Sequence, residues 1–253
     1  NKFNVVIATS RETHGIPNEF HREDVFVIFQ HYYMLDQWEH PWYNSLVYPI
    51  PIGTFIDGFD TKVIKPMVER KYDFSFIGQI PHTGTRDCFK RNLDTLIETS
   101  GDKFNYFVKY TDGFNQGLSP DEYLDLLGDT KICLCPQGAY SAETFRFFEA
   151  VLMGAIPMVE QLPKVWYYEN VPFLQNKWVK LEQSLSVGLN SLQKESSRNA
   201  LYRIAQYAQS VLQPSSLAKI LKEQIDHRHQ NKEDGQAHLN TLREFFLTHE
   251  DWA

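Results

Sequence analysis

The sequence predicts an α/β fold with a short first lobe, a second lobe on a parallel sheet, and a helical C-terminal extension. Three observations predict it. Strand and helix signals alternate from Tyr72 to Val159, the doubly wound pattern. Residues 131–160, KICLCPQGAYSAETFRFFEAVLMGAIPMVE, read as strand, loop, helix, strand, a crossover that makes its flanking strands parallel. From Gln183 onward apolar residues recur at helical spacing.

Taken in order, residues 3–9 are a buried strand rich in β-branched side chains, and residues 25–30 and 46–50 are two more. Glu12 and His14 sit on the polar loop after the first strand. His31 and Asp36 follow the second, in a stretch crowded with aromatics. Pro49, Pro51 and Gly53 then break the pattern, so a linker is placed over 51–69. Three regions result: 1–65, 66–182, and the helices of 183–253, the last of which is expected to pack back on the first lobe.

In the second region, 74–77 is a strand and 85–100 an amphipathic helix. Gly78 and Gln79 lie on the loop between them, where a glycine lets a ligand approach the backbone. Arg86 opens the helix, aimed at the same cleft as the loop of the 131–160 unit. Residues 104–109 are the next strand, and its exit, 110–115, is placed to flank a nucleobase. Ser119-Pro120-Asp121-Glu122 opens a helix with a capping Ser and Pro at its first position. Residues 178–181 read as a last edge strand. Helices are expected over 197–212, 217–230 and 239–247. His227 and His229 are two apart on a helix and read as solvated rather than as metal ligands.

The chemistry concentrates in the 131–160 unit. The turn Pro136-Gln137-Gly138 stops its first strand, and Ser141 or Thr144 is expected to cap the helix. Gly154 ends that helix as a left-handed cap. A glycine-containing loop entering a helix offers free N–H groups and a positive dipole end, which suits phosphate. Arg146 in the first turn adds a charge that can bind a diphosphate in two places. Glu149, one turn on, can accept both hydroxyls of a ribose. The plainer alternative is an i,i+3 surface pair worth a few tenths of a kcal/mol.

The string CPQG…S-x-E-T-F-R-F-F-E-A…G-x-I-P-M-V resembles the signature of exostosin-like glycosyltransferases. A looser likeness begins at Tyr72 and includes Arg86, so the resemblance spans roughly residues 70–180. It implies a GT-B fold of two Rossmann-like lobes and donor-side contacts from Gly78, Gln79, Arg86, Pro136, Gln137, Gly138, Ser141, Thr144, Phe145, Arg146 and Glu149. It also implies metal-independent, inverting transfer from a nucleotide sugar to a glycan, with UDP-xylose the first donor guess and no cofactor beyond that co-substrate. Such transfer needs a base from the facing lobe. The candidates are Glu12, His14, His31 and Asp36. The short first lobe also suits a non-catalytic nucleotide-sugar-binding module of a larger protein.

Composition bounds the rest. The formal charge of −7 and pI near 5.7 argue against a nucleic-acid partner. No apolar run reaches the length of a bilayer span, about 18 residues or more. Three cysteines, Cys88, Cys133 and Cys135, form no zinc spacing and read as reduced thiols of an intracellular chain, with an anchor upstream left open. Cys133 and Cys135 are expected to face opposite ways.

Overall fold

The computed structural model describes residues 4–8, 25–31, 47–80, 85–113, 116–138, 142–162, 165–168, 171, 173–196, 198–199, 206, 212 and 214–230. The chain divides into two units. One holds Asn1–Ile52, Pro163–Glu169 and Ser210–Ala253; the other holds Gly53–Leu162 and Asn170–Gln209. The break thus falls between Ile52 and Gly53, at the start of the 51–69 linker, so nearly all of that segment belongs to the second unit rather than to a first region ending at 65. Ion pairs explain the shift: Lys62 binds Asp121 and Asp125 at 3.1 and 2.7 Å, and Lys65 binds Asp129 at 2.5 Å. These tie the expected linker to the second unit.

The first unit carries a parallel three-stranded sheet, β1 (Asn4–Ala8), β2 (Val25–Gln30) and β3 (Val47–Pro49), in that order. Val27, Phe29 and Ile50 form its core, and Leu221 and Ile225 of the helix Pro214–Gln230 pack against them. The helix Pro214–Gln230 thus contributes two apolar side chains to this core. Pro214 opens that helix instead of breaking it, because the missing N–H of proline costs nothing in a first turn. Residues 239–247, the helix expected to do this, lie outside the described residues, as do the side chains of His227 and His229.

The second unit is α/β, as expected. Its strands are β4 (Tyr72–Gln79), β5 (Tyr106–Thr111), β6 (Thr130–Leu134), β7 (Ile156–Val159) and β8 (Leu174–Gln175). Its helices are α1 (Thr85–Ser100), α2 (Pro120–Gly128), α3 (Phe145–Leu152) and α4 (Leu181–Gln193). All pairings are parallel, in the order β5-β4-β6-β7-β8. Strand β7 is buried throughout and β6 nearly so, as a sheet covered on both faces requires. Phe74, Phe76, Ile132, Leu134, Ile156 and Met158 alternate along three strands and join one core with Phe89 and Leu93 of α1 and Leu181 and Leu185 of α4. The chain leaves β4 toward β5 on one side and returns to β6 on the other. That reversal is a switch point, and the loops after β4 and β6 part there, outside the carboxyl ends of the strands.

One expected strand is a helix. Trp178–Lys180 is a 3-10 turn running directly into α4, and the edge strand is Leu174–Gln175. Trp178 and Leu181, three apart, are both buried, while Val179 between them is 65% exposed. That is helical spacing, and short apolar runs do not separate it from alternation. The Trp178 indole meets Phe89 edge-on at 4.8 Å, so tertiary packing against α1 sets the choice.

Candidate functional site

Each helix that follows a strand in this sheet begins at the carboxyl rim, and its first turn faces the switch point. Arg86 is the second residue of α1, Tyr123 the fourth of α2 and Arg146 the second of α3. Local sequence secures these starts. Ser119 and Glu122 close a full capping box on α2, with Pro120 at its first position. At the other end of α3, Gly154 has φ of 68° and stops the helix as predicted.

The N-cap of α3 is Thr144, as expected in position, but its side chain makes no capping bond. Its hydroxyl is fully enclosed and has no hydrogen-bond partner, and Arg146 Nε is in the same state. Burying such groups unpaired costs about 1–3 kcal/mol each. Arg146 is otherwise held firmly. Its Nη2 donates to the Ile77 carbonyl at 2.7 Å, and its guanidinium lies 4.9 Å above the Phe76 ring. Burial pulls its pKa down, but the acids around it, Tyr123, Cys135, Cys133 and Glu149, win and raise it. The side chain is a fixed cation at the carboxyl end of β4.

Gly78 takes its role from that cation. A Cβ on Gly78 would fall on Arg146 Nη2, so the space the glycine leaves open is filled by the chain's own guanidinium rather than open to a ligand. Arg86 links the two rim loops: Nε donates to the Gln137 carbonyl at 2.7 Å and Nη1 to the Gln79 carbonyl at 2.8 Å. Gln79 is further tied by its amide to the Asp112 carbonyl at 3.1 Å. Pro136 is buried, and Gln137 and Gly138 are half-buried. The Phe145 ring lies 5.8 Å from that of Phe55.

Glu149 is 4% exposed and is no surface partner of Arg146. Its Oε1 accepts the Phe55 N–H at 3.1 Å and its Oε2 accepts the Tyr123 hydroxyl at 3.0 Å. Burial raises its pKa above the ordinary carboxylate value; the amides of Phe55 and Ile56, the Tyr123 hydroxyl and the Arg146 charge oppose that rise. Tyr123 is raised well above its ordinary value by burial first and by Glu149 second, so it is a neutral donor. Neither Tyr123 nor Phe55 was singled out from sequence. Tyr123 had a signal, its place in the first turn of a helix after a strand. Phe55 had none, since it sits in the segment read as linker.

The two strand cysteines correct an expectation. Residues two apart on a strand share a face, and the Cys133 and Cys135 sulfurs are 3.9 Å apart, both buried and both free. The Cys135 thiol donates weakly to the Cys133 carbonyl at 3.4 Å. Its pKa is pushed well up by burial and by Cys133, so the Cys135 thiol stays protonated and is a poor nucleophile.

Of the residues expected on the donor side, then, the structure brings together Gly78, Gln79, Arg86, Pro136, Gln137, Gly138, Thr144, Phe145, Arg146 and Glu149 at one rim. Ser141 lies outside the described residues, and so do Glu12, His14 and Asp36. His31 belongs to the first unit, and burial lowers its pKa, which keeps its imidazole neutral. Among the described residues no cluster of three metal-ligating side chains occurs, and no helix is long and apolar enough to cross a membrane.

Residues 57–166 match the family model of the RXYLT1 C-terminal domain. No curated protein matches the chain. Solved structures similar to it include two alpha-glucosyltransferases. One is an alpha-glucosyltransferase (AGT) in complex with UDP, 13% identical over 80% of this chain and 66% of that one, with a TM-score of 0.45. The other is an alpha-glucosyltransferase in complex with UDP and a 13-mer DNA containing a HMU base, 12% identical over 87% and 71%, again with a TM-score of 0.45. The chain spans just under two thirds of the first.

Proposed function

We propose that this chain is a glycosyltransferase of the exostosin-like type, with a GT-B arrangement, that takes its sugar from a nucleoside diphosphate sugar. One observation carries the reading: two enclosed, unpartnered donors, Thr144 Oγ1 and Arg146 Nε, stand at the start of α3 beside the loop after β6. Both are hydrogen-bond donors, one is charged, and the helix start adds its N–H groups, so the partner they suit is anionic. The family match spans this whole rim and supports the same reading.

In the proposed reaction the diphosphate sits at the α3 start. Arg146 and the helix dipole stabilise the charge that grows on it as the sugar departs. Glu149 accepts from the ribose hydroxyls; a carboxylate has about four acceptor positions, and Phe55 and Tyr123 take one each of the two oxygens. Arg86 keeps the loops after β4 and β6 in place without being spent on the ligand alone. A base on the first unit, Glu12, His14, His31 or Asp36, takes the proton of the acceptor hydroxyl; its oxygen bonds to the anomeric carbon from the face opposite the diphosphate, whose bond to that carbon breaks, so the centre inverts. The nucleotide is uridine diphosphate, the first sugar to try is xylose, and the acceptor is a glycan hydroxyl. No metal ion and no further cofactor take part.

The experiment is a thermal-shift screen of nucleotides and nucleotide sugars on the intact chain, followed by product analysis with glycan acceptors. UDP and one UDP-sugar should raise the melting temperature by mass action. A chain that no nucleotide stabilises does not fit the reading. A chain that UDP-sugars stabilise but that transfers none to any acceptor is instead a binding module of a larger enzyme.

A further inference from the structure

We infer that Tyr123 is a positioning residue: donating to Glu149 Oε2, it sets the carboxylate in the plane that receives both ribose hydroxyls of the nucleotide. The inference rests on the donor-binding reading above and extends it to a residue on a different helix.

The geometry is specific. The terminal torsion of a glutamate is broad, so a free carboxylate swings. Here each oxygen has a donor, the Phe55 amide on Oε1 at 3.1 Å and the Tyr123 hydroxyl on Oε2 at 3.0 Å, with the Ile56 amide also directed at the carboxylate. Together they fix the plane. A vicinal diol needs two acceptors at a set spacing and tilt, which a fixed carboxylate presents and a swinging one does not. Tyr123 itself is fixed, because the capping box and Pro120 hold the turn that carries it.

The groups facing Glu149 are Arg146 from its own helix, Tyr123 from α2, Cys135 just past the end of β6 with Cys133 of β6 beside it, and the amides of Phe55 and Ile56. Burial works against the anion, and the Phe55 and Tyr123 bonds and the Arg146 charge sustain it. Removing the Tyr123 bond therefore pushes the carboxyl further up. Binding that needs the anion then fails at a higher pH than before. A residue that merely filled space would not move that limb.

The test is calorimetric titration of the intact chain with UDP and with 2′-deoxy-UDP across a pH series. The native chain should prefer UDP. Tyr123→Phe should bind UDP about tenfold more weakly, the size of one bond to a charged group. It should lose most of its preference for ribose, and its acidic limb should move to higher pH. If the native chain binds UDP but shows no preference for ribose, Glu149 does not hold the diol and the inference falls. The same follows if Tyr123→Phe matches the native chain in affinity, preference and limb. Either leaves the diphosphate reading standing, whereas a native chain that binds no nucleotide ends both. Should Tyr123→Phe fail to fold by circular dichroism, Tyr123→3-fluorotyrosine keeps the packing and makes the hydroxyl a stronger donor. Its acidic limb should move to lower pH, and an unmoved limb overturns the inference.

Discussion

The two ends of the second unit's sheet each hold an arginine without a carboxylate bonded to it, Arg70 buried and Arg146 half-buried, and the two are finished differently. At the amino end, Arg70 is 3% exposed. Its guanidinium donates to the carbonyls of Lys65, Thr130 and Met153 at 3.1, 2.8 and 3.0 Å, with a longer bond to Leu127 at 3.4 Å. Leu127 and Met153 close α2 and α3, so the cation neutralises two negative helix ends. At the carboxyl end, Arg146 spends Nη2 on one carbonyl and leaves Nε enclosed and unpaired. Arg70 is complete within the chain, and Arg146 is not. A fully satisfied buried cation is part of the fold; a partly satisfied one beside a helix start leaves a donor that no group of the chain meets. Burial, partly offset by the Asp129 charge, lowers the Arg70 pKa to about 10, still fully charged at neutral pH.

The sharpest break in the comparison is Arg70→Ala. It leaves several buried carbonyls without donors and should cost about 3–5 kcal/mol of stability in a urea titration, with UDP affinity of the folded fraction unchanged. Arg146→Ala should do the reverse. Turnover should fall by roughly a hundred- to a thousandfold, the scale of losing one charge-stabilising donor, while the urea midpoint barely moves. If the two variants exchanged these phenotypes, the assignment of the two ends would be wrong. Gly78→Ala probes Arg146 without touching it. The added methyl displaces the guanidinium from its seat over Phe76, so UDP should bind about tenfold more weakly with a stability loss near 1 kcal/mol. Thr144→Val removes an enclosed hydroxyl that has no partner in the chain. Stability should hold or rise slightly, since the unpaired group was a cost of about 1 kcal/mol, and UDP affinity should fall a few-fold.

The smallest effect is a pH slope. Glu149's carboxyl is raised in the folded chain, so the native state holds that proton more tightly than the unfolded state does. Its contribution is therefore most favourable below the ordinary carboxylate pKa and declines as pH rises through the raised value. Glu149→Gln should flatten that part of the stability–pH curve, measured by urea unfolding at a series of pH values. A curve of unchanged slope would mean the carboxylate is ionised at its ordinary pKa.

Much of the site was legible from local signals. The βαβ unit, the turn at Pro136–Gly138, the cap at Ser119 and the stop at Gly154 all depend on residues within a few positions of one another. Arg146 at a helix start could be read in the same way. Other features needed the assembled sheet. The switch point follows from strand order, which periodicity does not encode. Arg86 looked like a ligand residue, and its two carbonyl partners come from loops more than one element apart. Glu149 looked like half of a surface pair or a ribose partner, and only packing put Tyr123 and Phe55 on its oxygens. The 178–181 segment failed for the same reason, since four residues fit either period until Phe89 met Trp178.

By itself, then, the order of residues determined the elements, their parallel sense and the helix start that faces the rim, because these rest on backbone geometry and short-range hydrogen bonding. The tertiary structure decided which buried polar groups are paired and which are left over. That distinction depends on donors and acceptors dozens of residues apart, brought within 3 Å only when the strands take their register.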